Sequence, residues 1–209
     1  MEAEFKFKIE DKSIIEKIIN DSYLDKYVDR EHIEDIAMHA VYFDTADGDL
    51  RRAKIAYRVR HENDRITATI KWAGSAHDGF HSREEFNLVI NDEGFADNPN
   101  IDVFESSEAY EVLRNAAGDK PLHKVVEMNF NRKLMKIDTG MSISALSFDE
   151  GKIIGKENES DVCEMEIEWY HGDEDDFKDI AIYLAGKYDL APENETKLQR
   201  GFLEEYDGK

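Results

Sequence analysis

Glu2-Ala3-Glu4-Phe5-Lys6-Phe7-Lys8-Ile9, at the start of the chain, alternates charge with apolar bulk. Successive side chains of a strand point to opposite faces. Glu2, Glu4, Lys6 and Lys8 therefore share one face, and Ala3, Phe5, Phe7 and Ile9 share the other. Two carboxylates followed by two ammonium groups, over so apolar a back, suit a site that holds a metal ion and an anion together.

The same alternation recurs downstream. Arg58 and Arg60 share a face, as do Thr67, Thr69 and Lys71 opposite Ile66, Ala68, Ile70 and Trp72. Arg83, Glu85 and Asn87 form another row, Arg132 and Lys136 another, and Glu164, Glu166 and Glu168 face away from Met165, Ile167 and Trp169. A half-exposed antiparallel sheet also alternates polar with apolar. Such a face mixes Thr, Ser, Lys, Glu and Gln, whereas Arg and Glu are concentrated here. Closing the sheet into a barrel puts the charged rows inside and the apolar rows outside, under helices. Charges so buried need partners, water or ligand. Glu rows offer oxygens to a hard divalent cation, and Arg and Lys rows grip phosphate oxygens. Together they imply a metal–polyphosphate site.

Composition agrees. A chain of 209 residues, 41% hydrophobic and 11% aromatic, suits one domain spanning 1–209 with a real core. A formal charge of -21 opposes long-range attraction to nucleic acid or anionic membrane, so neither is an expected partner. The single cysteine, Cys163, excludes an intrachain disulfide and fits a reducing compartment, so cytoplasm is the expected location. No signal-peptide core or run of some 20 apolar residues is present.

The remaining patterns predict a helix over Ile14 to Ile19, capped by Asp11 or Ser13, and strands over 34–44, 54–61, 65–72 and 80–90. Turns are expected at 46–49, 62–64 and 74–79, and 23–31 is ambiguous. Ser106 or Ser107 caps a helix to Ala117. A second run of strands covers 122–137, 142–149 and 161–170, with a tight turn at Glu150-Gly151-Lys152 and a loop at 156–160. Asp173 to Lys187 reads as an amphipathic helix with an acidic start, and 196–206 as a last short helix.

Glu2-Ala3-Glu4-Phe5-Lys6 resembles the ExExK signature of the CYTH, or triphosphate tunnel metalloenzyme, superfamily, and the resemblance continues in order. Tyr42-Phe43-Asp44-Thr45 is similar to its YFDT strand end, Leu50 with Tyr57-Arg58-Val59-Arg60 to its L…xRxR segment, Thr69-Ile70-Lys71 to TxK and Arg83-Glu84-Glu85 to RxE. Ser147-Phe148-Asp149-Glu150-Gly151 resembles the LDxG turn, Glu164-Met165-Glu166-Ile167-Glu168 the ExExE strand, and Thr196-Lys197-Leu198-Gln199-Arg200-Gly201 the closing SKxxRG. The resemblance implies an α+β fold, an eight-stranded antiparallel β-barrel with helices packed outside, and hydrolysis or cyclisation of a triphosphate with Mg²⁺ or Mn²⁺. By position it implies metal-side carboxylates at Glu2, Glu4, Glu164 and Glu166. It implies phosphate-side cations at Lys6, Arg58, Arg60, Lys71, Arg83, Arg132, Lys197 and Arg200. Glu85, Asp149, Glu168 and Lys8 are further tunnel positions. One departure is Phe130, where the family often carries a Lys before the Arg at 132.

The expected chemistry is attack of water on a terminal phosphorus, with Glu4, Glu164 or Glu166 orienting the water and Arg and Lys stabilising the transferring phosphoryl group. His61, His77 and His81 are expected at the surface or just behind the site, and no metal-binding His spacing, P-loop or GxGxxG motif occurs. Inorganic tripolyphosphate is the expected substrate. Adenylate cyclisation, hydrolysis of thiamine or nucleoside triphosphates, and polyphosphate binding without turnover are the alternatives, and a homodimer is expected on family grounds alone.

Overall fold

The computed structural model describes residues 1–202. Strands β1 (Glu2–Lys8), β2 (Glu34–Thr45), β3 (Ala56–Glu62), β4 (Arg65–His77), β5 (Phe80–Ile90), β6 (Leu122–Asp138), β7 (Ser142–Ile154) and β8 (Glu159–Gly172) form one antiparallel barrel. Around it the order is β1-β8-β7-β6-β2-β3-β4-β5, and β5 pairs back onto β1 to close it. A two-residue strand, β9 (Ala191–Pro192), adds to the end of β1. Helices are α1 (Ser13–Ile19), α2 (Asp49–Arg52), α3 (Glu108–Ala117), α4 (Glu174–Tyr188) and α5 (Lys197–Arg200).

The apolar strand faces point outward under the helices, as the alternation requires. Phe5, Phe7, Met165 and Ile167 meet Ile15, Ile18 and Ile19 of α1 and Phe177, Ile180 and Leu184 of α4. Tyr57, Ala68 and Ile70 meet Leu50 of α2 and Leu113 of α3. Each such side chain, removed from water, contributes about 1.5–3 kcal/mol. The Asp173 carboxylate accepts from the amides of Asp175 and Asp176 and so caps α4.

A third cluster lies on the inward-facing side. Met38, Ala40, Met128, Phe130, Ile153 and Val162 fill part of the barrel, and Leu198 and Phe202 pack against them. The C-terminal segment therefore plugs that end. The Glu193 amide donates to the Lys6 carbonyl (2.9 Å), the Gly79 amide to Asn194 Oδ1 (2.9 Å), and a capping box of Thr196 and Gln199 starts α5.

Several boundaries differ from the sequence reading. Glu150-Gly151-Lys152 is no turn: β7 runs on to Ile154, and Gly151 pairs with Phe130 and Val162. A Cβ at Gly151 would stand 2.1 Å from the Asn129 carbonyl, so glycine there permits close strand approach. β4 passes Trp72 through a bulge to His77, and the turn is Asp78-Gly79, both at positive φ. The turn after Thr45 leads into α2, and the ambiguous 23–31 holds 3₁₀ turns at Leu24–Lys26 and Arg30–His32. The last helix spans only Lys197–Arg200, and the part of that expectation beyond residue 202 lies outside the described residues.

Candidate active site

A cavity of about 480 Å³ enters the barrel from the end opposite α5. Glu2, Glu4, Lys6, Arg58, Arg60, Lys71, Arg83, Glu85, Arg132, Glu166, Glu168 and Lys197 all line it. Strand register decides their partners. Lys6 sits opposite Glu166, Arg132 opposite Asp149, Lys71 opposite Glu85 and Arg83 opposite Glu2. Each becomes an ion pair, with shortest N–O distances of 2.5, 2.6, 2.7 and 2.7 Å respectively.

Cross-links extend these pairs into a network. Lys71 also reaches Glu2 (2.7 Å), Arg83 reaches Glu4 (2.8 Å), and Arg132 reaches Glu166 (2.6 Å). Lys197 on the plug contacts Asp149 (2.7 Å), Glu166 (2.9 Å) and Glu164, and Arg200 contacts Glu164 (2.5 Å). Asp149, Glu164 and Glu166 bring carboxylate oxygens within 4.8 Å of one another.

Arg58 and Arg60 stand apart because their cross-strand neighbours are neutral. Tyr42 and Thr69 flank Arg58, and Ala40 and Thr67 flank Arg60. Arg58 makes a 3.4 Å contact with Thr69 Oγ1 and lies across the strand from Tyr42, and Arg60 pairs with Glu62 (2.6 Å) near the mouth. Both Nε–H groups are buried with no acceptor among the described residues. Buried guanidinium donors left open in a walled cavity are a place for an anion.

This arrangement coincides with a match of residues 1–202 to the CYTH domain. The chain belongs to the CYTH family. An inorganic triphosphatase of Haemophilus influenzae is 29% identical over 181 residues, 87% of this chain and 49% of that protein, so the chain spans about half the length of this relative. Among solved structures, a Hippeastrum adenylyl cyclase homologue described as having a dominant triphosphatase activity superposes with a TM-score of 0.68. It shares 18% identity and covers 98% of this chain and 96% of its own. The Mimivirus capping enzyme triphosphatase gives 0.52 at 14% identity, over 88% and 87% of the two chains. At such identities the two structures establish the shared barrel. No described helix is long and apolar enough to cross a membrane.

Within this CYTH barrel nearly every residue predicted for the tunnel faces the lumen or its plug. Lys8 does not: it is exposed beyond the plugged end, next to β9. Lys136 is exposed too and pairs with Asp138. His77 is exposed, whereas His81 is buried and binds the Glu193 carbonyl through Nε2 (2.7 Å), tying the plug to β5. Asp149, read from the sequence only as a polar tunnel position, belongs to the tightest carboxylate group. Tyr42, Glu62 and Phe130 line the cavity without having been assigned a role there. Tyr42 carried a sequence signal in its motif and Phe130 stood out as a departure from the family pattern, whereas nothing local marks Glu62.

The network sets the charges. Burial favours a neutral Glu166, but Lys197, Lys6 and Arg132 hold it well below the usual carboxylate range. Burial likewise opposes charge on Asp149, and Arg132 and Lys197 lower it. Burial opposes the Tyr42 phenolate, yet Arg58, Lys71 and Arg83 lower its pKa. Arg60 falls to about 10 through burial and the neighbouring Arg58 charge.

Glu168 behaves oppositely. Burial, then Glu2 and Glu4, push it up to about 7. Such a carboxyl keeps its proton in the folded protein while the unfolded chain ionises from about pH 4.5, so its contribution to stability is lost as pH rises to about 7. Glu168→Gln removes that loss. In denaturant titrations of metal-free protein, the advantage of Glu168→Gln over wild type should grow between about pH 5 and pH 8. A pH-independent difference would refute this assignment.

Proposed function

We propose that this chain is a divalent-metal-dependent triphosphatase acting on inorganic tripolyphosphate. The observation that carries the reading is the pair of Nε–H donors of Arg58 and Arg60, without acceptors among the described residues, in one barrel with the buried carboxylates Asp149, Glu164 and Glu166. The activity for which the Haemophilus relative is named supports the substrate class.

The donor set fits a hard cation. Asp149, Glu164 and Glu166 offer only carboxylate oxygens, and Glu2 and Glu4 add two more carboxylates along the wall. Mg²⁺ or Mn²⁺ held there would neutralise phosphate charge and polarise a phosphoryl oxygen. Charge balance explains the need. Lys6, Arg58, Arg60, Lys71, Arg83, Arg132, Lys197 and Arg200 are nearly balanced by Glu2, Glu4, Glu62, Glu85, Asp149, Glu164, Glu166 and the partly protonated Glu168. A bare polyanion would enter without compensation.

Arg58 and Arg60 bind the phosphate chain and absorb charge at the transferring group. Lys6, Arg132 and Lys197 stabilise the same charge from the opposite wall as their carboxylates turn to other partners. Glu4, Glu164 or Glu166 orients the attacking water. Its oxygen bonds to the terminal phosphorus, the bridging P–O bond breaks, and the products are phosphate and pyrophosphate. Side chains replace any P-loop in gripping the phosphates.

A panel of tripolyphosphate, thiamine triphosphate and ATP, each with Mg²⁺, Mn²⁺ or EDTA, tests the reading. Phosphate release should be fastest from tripolyphosphate and absent in EDTA. Cyclic AMP from ATP would replace hydrolysis by cyclisation, and tripolyphosphate binding without release under either metal would make the chain a polyphosphate-binding module.

A further inference from the structure

We infer that Phe130 is a positioning residue that holds Lys197 and Arg132 through the face of its ring. Phe130 lines the lumen in β6 and is only 8% exposed. The Lys197 ammonium lies 5.4 Å from its ring centroid and the Arg132 guanidinium carbon 5.9 Å. Both distances fall within the range in which an aromatic face attracts a cation. The ring joins two parts of the molecule, because Arg132 stands on the barrel wall and Lys197 on the plug helix α5.

The two cations also share Asp149 and Glu166. Held by carboxylates alone, they would lose their common partners whenever those oxygens turned to another ligand, and their like charges would drive them apart. The ring is neutral and does not change partners. It packs in one buried cluster with Met38 and Met128. An apolar side chain among lumen charges thus keeps two cations aimed at one point. An ordinary core role needs only its volume, whereas this role needs its π electrons.

The choice of anion rests on the function proposed above, while the geometry does not. The experiment therefore reads the ring contact and anion binding separately. Phe130→Leu, Phe130→Tyr and a series of fluorinated phenylalanines at position 130 keep the site apolar while varying the electron density of the ring face. In the ligand-free wild type, the Lys197 ε-methylene NMR signals should lie upfield through the ring current, returning to ordinary lysine positions in Phe130→Leu. Affinity for a non-hydrolysable tripolyphosphate analogue with Mg²⁺, measured by calorimetry, should fall about tenfold in Phe130→Leu, hold in Phe130→Tyr, and decline stepwise with fluorination. Melting temperatures along the fluorinated series should stay level. Unshifted Lys197 signals, or unchanged affinity for the analogue across the fluorinated series, would overturn the inference. A wild type that binds tripolyphosphate without cleaving it would overturn the hydrolase reading alone. A wild type that does not bind it would overturn the tripolyphosphate reading together with the anion-binding part of this inference, leaving the ring contact to stand or fall on the Lys197 signals.

Discussion

Glu166→Ala should lose both activity and stability. Glu166 is the shared partner of Lys6 (2.5 Å), Arg132 (2.6 Å) and Lys197 (2.9 Å), all three side chains lying mostly out of water. Removing one member of a buried ion pair leaves the other charge uncompensated, at about 3–5 kcal/mol. Asp149 and Glu164 remain to recover part of this, so the lower end of that range is expected. Phosphate release from tripolyphosphate should fall by roughly 10³-fold, because the carboxylate group and the aim of three cations fail together. Urea unfolding and a phosphate-release assay check the two effects. A variant as stable as wild type would show that the cations re-pair among the remaining carboxylates.

Arg60→Ala should separate the same two quantities. Arg60 faces the neutral Ala40 and Thr67 across its strand, its Nε–H has no acceptor among the described residues, and burial with the Arg58 charge depresses it to about 10. Burial and Arg58 oppose its positive charge, so deleting it relieves that opposition and offsets the lost ion pair with Glu62. Glu62 loses its partner but sits near the mouth, within reach of water. Unfolding free energy should therefore stay within about 1 kcal/mol of wild type, while phosphate release drops by roughly 10²–10³-fold. Arg60→Lys keeps the charge but loses the planar fork, and should recover only part of the rate. Wild-type turnover in Arg60→Ala would remove the open arginine pair from the reaction.

The contrast between these variants follows from register. Period-two alternation is local, so Glu2, Glu4 and Lys6, Arg58 and Arg60, and Glu164 and Glu166 could be placed on shared faces before any strand was paired. Which charge stands opposite which depends on long-range pairing, and for that reason Arg132 meets a carboxylate across its strand while Arg60 meets Ala40 and finds its acid, Glu62, on its own strand. Gly151 misled the local reading because Glu-Gly-Lys has turn chemistry. The close approach of Asn129 and Phe130, distant in sequence, makes it a strand residue instead. His81 looked like a turn-side histidine, and only the returning C-terminal segment buries it.

By itself the sequence determined the charged and apolar faces of the strands, the helices that cover them and the mixed acidic and basic character of the interior, because side-chain periodicity and residue chemistry are properties of short segments. Closure of β5 onto β1, the plug that carries Lys197 to Asp149 and Glu164, the apolar half of the lumen and the open Nε–H donors of Arg58 and Arg60 were decided by the tertiary structure. Each of these joins residues far apart in the chain, and a charge acquires its partner, or goes without one, only once the barrel has closed.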